Sequence, residues 1–220
     1  MSSSDGHAHS SRHPHLAGHF DTIQQQDYAA RLGMWLFLGT EVLLFAGLFL
    51  GYTVYRHFYH ATWHACSQAL SLSLGATNTV ILISSSLTVA LAYWAVKVGK
   101  RQLALGMLAF TIVCACVFLV IKYFEYAHKF HVGSLPGKWF NDPSLAKYPG
   151  ANLYFTVYFL TTGLHAFHVI VGMSVLAWVA KGVFKGRYTP EYYVPVELGA
   201  LYWHLVDLVW IFLFPLLYLI

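Results

Sequence analysis

The last apolar stretch of the chain contains two side chains that can carry a proton, His204 and Asp207. Residues three apart lie on one helical face, so an aspartate–imidazole hydrogen bond or a shared contact with another helix is geometrically available. An ionisable group at the centre of a bilayer costs at least about 2.5 to 3.5 kcal/mol on insertion scales, which favours a position facing protein or water. Trp203 and Trp210 flank the pair on nearly one stripe. The pattern fits either a packing contact with a partner helix or a proton-handling group.

Two other apolar stretches also carry ionisable groups. Glu41 has no basic residue within one helical turn, so it must find a partner elsewhere or hold its proton. Two roles are consistent with this position: Glu41 locks the packing of the helices, or it takes part in proton movement. His165 and His168 share one helical face. Because no equally placed histidine pair occurs on another span, interhelical hydrogen bonding is favoured over haem or metal ligation.

Other groups with metal-ligand spacing are incomplete. Glu125 and His128 form one half of the Glu-x-x-His di-iron motif, but no second copy exists. With Lys122, Tyr123 and Tyr126 they are interpreted as a helix end at the outer interface. The spacing of three histidines after the first span would suit a metal-binding helix face, and the N-terminal histidines would suit a loose metal-binding tail. These are His57, His60 and His64, and His7, His9, His13, His15 and His19. Cys66, Cys114 and Cys116 show no metal or haem spacing, and Cys114 with Cys116 is interpreted as apolar packing.

Five segments are long and apolar enough to cross a membrane as helices. The chain has 58% hydrophobic and 10% charged residues, which is unusual for a soluble domain. The sequence therefore predicts an all-α, polytopic integral membrane bundle, preceded by a hydrophilic, His-rich tail over residues 1–30. The predicted spans are about 32–54, 77–96, 103–126, 153–180 and 199–220, with a Gly- and Pro-rich surface loop before the fourth.

The basic residues predict an orientation with the N-terminus inside and the C-terminus outside. That arrangement places eight lysines and arginines inside and five outside. Their spread between spans argues against a nucleic-acid partner. With a rise of 1.5 Å per residue, Glu41, His165 and His168 lie within about 3 Å of the bilayer centre. Asp207 lies within about 4 Å of the centre, and His204 about 8 Å towards the cytoplasm.

The chain resembles subunit III of the haem-copper oxidases, the cytochrome c oxidase subunit III family. The similarity extends over about residues 31–220 and follows the family's order, and its C-terminal block is the most specific part. The matching positions are Thr40, Glu41, Val42, Leu43, Leu44 and Phe45; Asn78 and Thr79; Glu125 and Tyr126; Gly163 to His168 with Val169, Ile170, Val171 and Gly172; and Glu197, Gly199, Trp203, His204, Asp207 and Trp210.

The resemblance implies an accessory subunit without haem or copper, whose partner subunits hold those groups. It implies packing on subunit I, contact with subunit II, association with other respiratory complexes, and bound phospholipid. It also implies support of proton uptake, of lipid or oxygen access and of durability during turnover. Glu41 would be the family's buried glutamate facing a lipid-filled cleft. The domain at 31–220 corresponds to the last five of the seven helices of longer members, so the other two would come from another subunit, for example a C-terminal extension of subunit I.

Several functions remain open at this stage. The leading one is subunit III of a respiratory cytochrome c oxidase in a bacterial cytoplasmic membrane, an enzyme complex to which this chain contributes no catalytic residue. His204, Asp207, Glu41, His165 and His168 are then proton-related or buried polar groups, and the candidates for packing contacts are Trp203, Trp210, Glu125 and Glu197. Subunit III of a quinol oxidase, a homologue associated with nitric oxide reductase, and an independent proton or ion transporter are the alternatives.

Overall fold

The computed structural model describes residues 16–220, and the regular structure of this part is helical apart from two isolated β-bridges. A short 3-10 helix, Gly137–Trp139, lies in the loop before the fifth α-helix. The α-helices are α1 (Ile23–Phe58), α2 (His60–Gln68), α3 (Leu72–Lys97), α4 (Arg101–Val132), α5 (Ala151–Phe184) and α6 (Val194–Tyr218).

Five of these helices, all except α2, are long and apolar enough to cross a membrane. Each predicted span coincides with one of them, which confirms, for residues 16–220, a helical architecture with five candidate membrane spans. The helices extend beyond the predicted spans, except that α6 ends at Tyr218, before the predicted end at residue 220. Hydropathy marks the apolar part, whereas capping contacts set where a helix begins and ends. The Thr22 hydroxyl accepts a hydrogen bond from the Gln25 amide at 3.2 Å, so α1 begins nine residues before the predicted span. At the other end of the bundle, α4 continues to Val132, and Gly133 with a φ of +86° ends it.

The predicted tail lies partly outside the described residues. His7, His9, His13 and His15 are in the undescribed part, whereas the His19 ring contacts Phe20. Because α1 begins at Ile23, residues 23–30 are helical. The division into a tail and a bundle at residue 30 stays a prediction.

The connection between the first two spans folds into α2. Tyr59 separates α1 from α2, so His57 lies on one helix and His60 and His64 on the other. Trp63 and Cys66 on α2 are fully buried, and the helix packs against α5. Within residues 16–220, no three His, Cys, Asp or Glu side chains come together in a group that could hold a metal ion.

The packing places α6 at the centre of the bundle and α1 at its edge. In the most apolar 18-residue stretch of each helix, 56% of α6 is buried but only 11% of α1. α6 packs against α3 and α5, α4 packs against both of those helices, and α1 contacts α5 and α6. The interior therefore lies around α6, which carries the C-terminal polar residues noted in the sequence.

Candidate functional site

Glu41 on α1 and His168 on α5 form a hydrogen-bonded pair across the bundle. Glu41 Oε2 lies 2.8 Å from His168 Nε2, and their side chains are 15% and 9% exposed. His168 Nδ1 lies 2.8 Å from the Leu164 carbonyl, which can only accept, so Nδ1 carries a proton. Nε2 then either accepts from a protonated Glu41 or donates to its carboxylate. In both cases one hydrogen bond joins the two side chains.

His165 faces a different set of neighbours, although it lies one turn from His168. Its ring is fully buried between Phe118 on α4 and Trp210 on α6, with centroid distances of 5.6 Å and 5.2 Å. Neither ring nitrogen has a hydrogen-bond partner within the described residues. The structure therefore does not bring His165 and His168 together as a pair of ligands.

His204 and Asp207 both line a groove between α3 and α6, but no hydrogen bond joins them. His204 Nδ1 lies 2.8 Å from Ser86 Oγ on α3. The Asp207 side chain is buried, and neither carboxylate oxygen has a hydrogen-bond partner in residues 16–220. Of the two contacts that the sequence left open, the structure shows the contact with another helix for His204. Ser86 was missed, because a serine in an apolar helix gives no signal of its partner.

The two tryptophans that flank this pair bind α3 through their indole nitrogens. Trp203 Nε1 donates to Ser85 Oγ at 3.0 Å, and Trp210 Nε1 donates to Thr79 Oγ1 at 3.0 Å. Both rings are fully buried. These hydrogen bonds satisfy the one polar atom of each ring in an apolar interior, so they fix the register of α6 against α3.

Lys122 and Glu125 form a buried ion pair, which corrects the interpretation of this segment as a helix end at the outer interface. Lys122 Nζ lies 2.9 Å from Glu125 Oε2, and both residues are only 4% exposed. Lys122 also donates to the Tyr218 hydroxyl at 2.8 Å, and that hydroxyl donates to Glu125 Oε1 at 2.5 Å. The tyrosine lies 93 residues further along the chain, so sequence spacing could not reveal it. His128 is exposed and takes no part in the cluster.

Glu197, at the start of α6, binds Arg31 near the start of α1. Arg31 Nη2 lies 2.9 Å from Glu197 Oε2, and Arg31 Nε donates to both carboxylate oxygens at 3.2 Å and 3.3 Å. The side chains are 39% and 23% exposed, so solvent screens this bidentate pair more than the buried one. The contact attaches α1 to the central helix at one end of the bundle.

These contacts define a polytopic helical membrane protein whose intramembrane polar groups mostly tie its own helices together. The family model described as cytochrome c oxidase subunit III matches residues 11–135 and 144–220, and the chain belongs to that family. The resemblance noted in the sequence is therefore confirmed.

Individual relatives cover most of the chain. Cytochrome c oxidase subunit 3 of Corynebacterium diphtheriae is 30% identical over 191 residues, which are 86% of this chain and 87% of the relative. The Gallus gallus protein of the same name is 29% identical over 212 residues, 91% of this chain and 72% of the relative. A protein named heme-copper oxidase subunit I+III, from Aeropyrum pernix, is 30% identical over 196 residues. The similarity to that relative covers 86% of this chain but only 22% of its own length.

Proposed function

We propose that this chain is the accessory subunit III of a respiratory haem-copper terminal oxidase and that its partner subunits carry the haems and copper. The family match carries the proposal, since it extends along both halves of the chain. The pairing of Glu41 with His168 and of His204 with Ser86 supports a packed accessory subunit. On this proposal the complex reduces oxygen, while this chain supports proton uptake, lipid or oxygen access and durability during turnover. We place the complex in a bacterial cytoplasmic membrane.

The main partner in this proposal is subunit I. The Aeropyrum pernix relative carries subunits I and III in its name, which supports an adjacent arrangement of the corresponding subunits here. We expect helices of another subunit to pack on the edge helix α1, because only 11% of its most apolar 18-residue stretch is buried. Our candidate for those helices is a C-terminal extension of subunit I, with phospholipid in the remaining space. Subunit II and other respiratory complexes are further proposed partners.

Glu41 acts in this proposal through packing and local polarity rather than as a stoichiometric proton carrier. Glu41 and His168 are largely buried, and each gives the other a hydrogen-bond partner at 2.8 Å, which a polar group needs in an apolar medium. The pair thus stabilises the α1–α5 contact beside any route that oxygen or protons take into the complex.

The first experiment compares the purified oxidase complex with and without this chain, and with the Glu41→Gln variant. We expect similar initial oxygen consumption in all three and faster inactivation during turnover when the chain is absent. Equal inactivation rates with and without the chain would contradict the accessory role. Complete loss of proton pumping in a fully assembled Glu41→Gln complex would contradict the assignment of Glu41.

The second experiment distinguishes this proposal from an independent transporter. Proton flux is measured in liposomes that contain the purified chain alone, with empty liposomes as the control. We expect no flux above the control.

Co-purification with a subunit II that carries a dinuclear copper domain would identify cytochrome c, rather than a quinol, as the electron donor.

A further inference from the structure

A groove of about 420 Å³ runs between α3 and α6 on the outside of the bundle. Each wall presents side chains at positions i, i+3, i+4 and i+7, so the groove follows one face of each helix. The lining residues are Ile83, Ser86, Leu87 and Ala90 on α3, and His204, Asp207, Leu208 and Ile211 on α6.

The shape of the groove fits a third helix. Ser86 and Ala90, four residues apart, are small, and small residues at this spacing let another membrane helix approach closely. Larger apolar side chains flank them and project outward, with Leu87 62% exposed and Leu208 49% exposed. Ridges beside a shallow channel are the surface into which the side chains of a neighbouring helix interdigitate.

Asp207 requires that a molecule bound in this groove offers a hydrogen-bond donor. Its side chain is 3% exposed and lines the groove, yet neither carboxylate oxygen has a hydrogen-bond partner within the described residues. The nearby Ser86 hydroxyl lies 2.8 Å from His204 Nδ1. A carboxyl group has an acceptor oxygen whether or not it is protonated, so an occupant that offers a donor satisfies it in both states. Acyl chains of lipids offer no donor.

We infer that the α3–α6 groove receives a transmembrane helix of a partner subunit, and that this helix presents a hydrogen-bond donor to Asp207. The inference rests on the proposed function, because it assigns the place where that multisubunit complex contacts this chain. The occupant combines an apolar helix surface with one polar side chain, and the groove offers the matching combination: apolar ridges, two small residues and one unpaired carboxyl group.

The first test is photocrosslinking within the intact complex. A photoreactive benzoylphenylalanine replaces Ala90 in the groove, and the matched control replaces Ala109, an exposed alanine on α4. We expect the residue-90 probe to crosslink a membrane helix of another subunit, and its crosslinked peptide to contain a hydrogen-bond donor. Crosslinks from residue 90 only to lipid, only to a second copy of this chain, or to nothing would overturn the inference.

The second test measures how much partner subunit remains on the tagged chain after a detergent wash. We expect Asp207→Leu to lower retention about three- to tenfold, as loss of one intramembrane hydrogen bond implies, and Asp207→Asn, which keeps an acceptor oxygen, to retain most of the partner. Ala90→Trp should also lower retention, whereas Ala109→Trp should not. Circular dichroism and the recovered amount of each chain separate misfolding from loss of contact. Unchanged retention in folded Asp207→Leu and Ala90→Trp chains would overturn the inference.

Failure of this inference differs from failure of the proposed function. If subunit I co-purifies with the wild-type chain but neither groove variant affects the complex, subunit III function stands and the groove is not an interface. If no oxidase subunit co-purifies and residue 90 crosslinks no membrane helix, both fail.

Discussion

At the scale of single residues, the polar groups inside the bundle differ in how far their own chain satisfies them. Glu41 and His168 satisfy each other, and Lys122 and Glu125 do so with the help of Tyr218. Asp207, in contrast, has no partner among residues 16–220. The His165 ring nitrogens also have no partner in this part of the chain, but that ring is enclosed between Phe118 and Trp210, whereas Asp207 lines a groove. An unsatisfied buried group is unfavourable, so Asp207 is the group that a partner at the groove can satisfy.

The Glu41–His168 hydrogen bond should contribute a measurable coupling energy. Glu41→Ala and His168→Ala are combined in a double-mutant cycle, and the free energy of unfolding of the full chain is measured in mixed micelles. We expect a coupling of about 0.6 to 1.7 kcal/mol, which are the average and the largest value found for hydrogen bonds between membrane helices. Glu41→Gln serves as the control, because its amide can still bond to His168. Strictly additive costs of the two alanine substitutions would show that the pair is not coupled.

Asp142 should make the loop before α5 sensitive to acid. Its burial raises the carboxyl pKa, but hydrogen bonds from Ser134 and Ser144 outweigh this, so the pKa lies below the usual 3.8. A lowered pKa in the folded state adds stability above the unfolded pKa, and this stability is lost as the pH falls through the folded value. We expect constant hydrogen-exchange protection of residues 133–150 from about pH 7 to about pH 5, and a decline below about pH 4.

The control for this pH effect is Asp142→Asn. The substitution removes the titrating group, so the loop should be less protected at neutral pH and its protection should not change with acid in this range. A wild-type loop whose protection rises as the pH falls below the usual aspartate pKa would contradict the assignment.

At the scale of the helices, the contact between α5 and α6 depends on a glycine. A Cβ atom added at Gly172 would lie 2.9 Å from Trp203 Cε3 and 3.1 Å from Tyr202 Cε1, and both side chains are buried. We expect Gly172→Ala to destabilise the chain by about 1 to 3 kcal/mol, the usual cost of overpacking. The measurement is again the free energy of unfolding in mixed micelles.

Gly106→Ala on α4 is the matched control for Gly172→Ala. No atom lies within 4 Å of its added Cβ, so the substitution should stabilise the helix by about 0.5 to 1 kcal/mol. Equal effects of the two substitutions would show that helix propensity, and not the close approach of α5 and α6, determines the result.

The sequence predicts the existence of the membrane helices better than their ends or their contacts. Apolar length alone reveals the five candidate spans, because it is a local property of the chain. The partner of Glu41 could not be predicted, since His168 lies 127 residues away and the pairing depends on how α1 crosses α5. The burial of the Lys122–Glu125 pair could not be predicted either, because it depends on contacts with distant helices. The pair's charges lower the local hydropathy, although the folded chain neutralises and buries them.

At the scale of the whole molecule, contacts between connections show which segments share one side of the bundle. The Arg31–Glu197 pair joins the start of α1 to the start of α6, and Arg101 at the start of α4 binds the Phe184 carbonyl at the end of α5. On the other side, Thr62 on α2 donates to the Pro149 carbonyl in the loop before α5. The five long helices therefore alternate in direction across the bundle. These contacts do not determine which side of the bundle faces the cytoplasm.

The basic residues predict that the side with Arg31, Lys100 and the α5–α6 connection faces the cytoplasm, because the compact basic connections lie there. The test uses chains without native cysteines that carry one new cysteine, either Lys100→Cys in the α3–α4 connection or Lys138→Cys in the loop before α5. We expect a membrane-impermeant maleimide to label the residue-138 cysteine in intact cells and the residue-100 cysteine only after the membrane is opened. Equal labelling of both in opened membranes is the control for reactivity. The reverse pattern in intact cells would contradict the predicted orientation, but it would contradict none of the helix contacts described above.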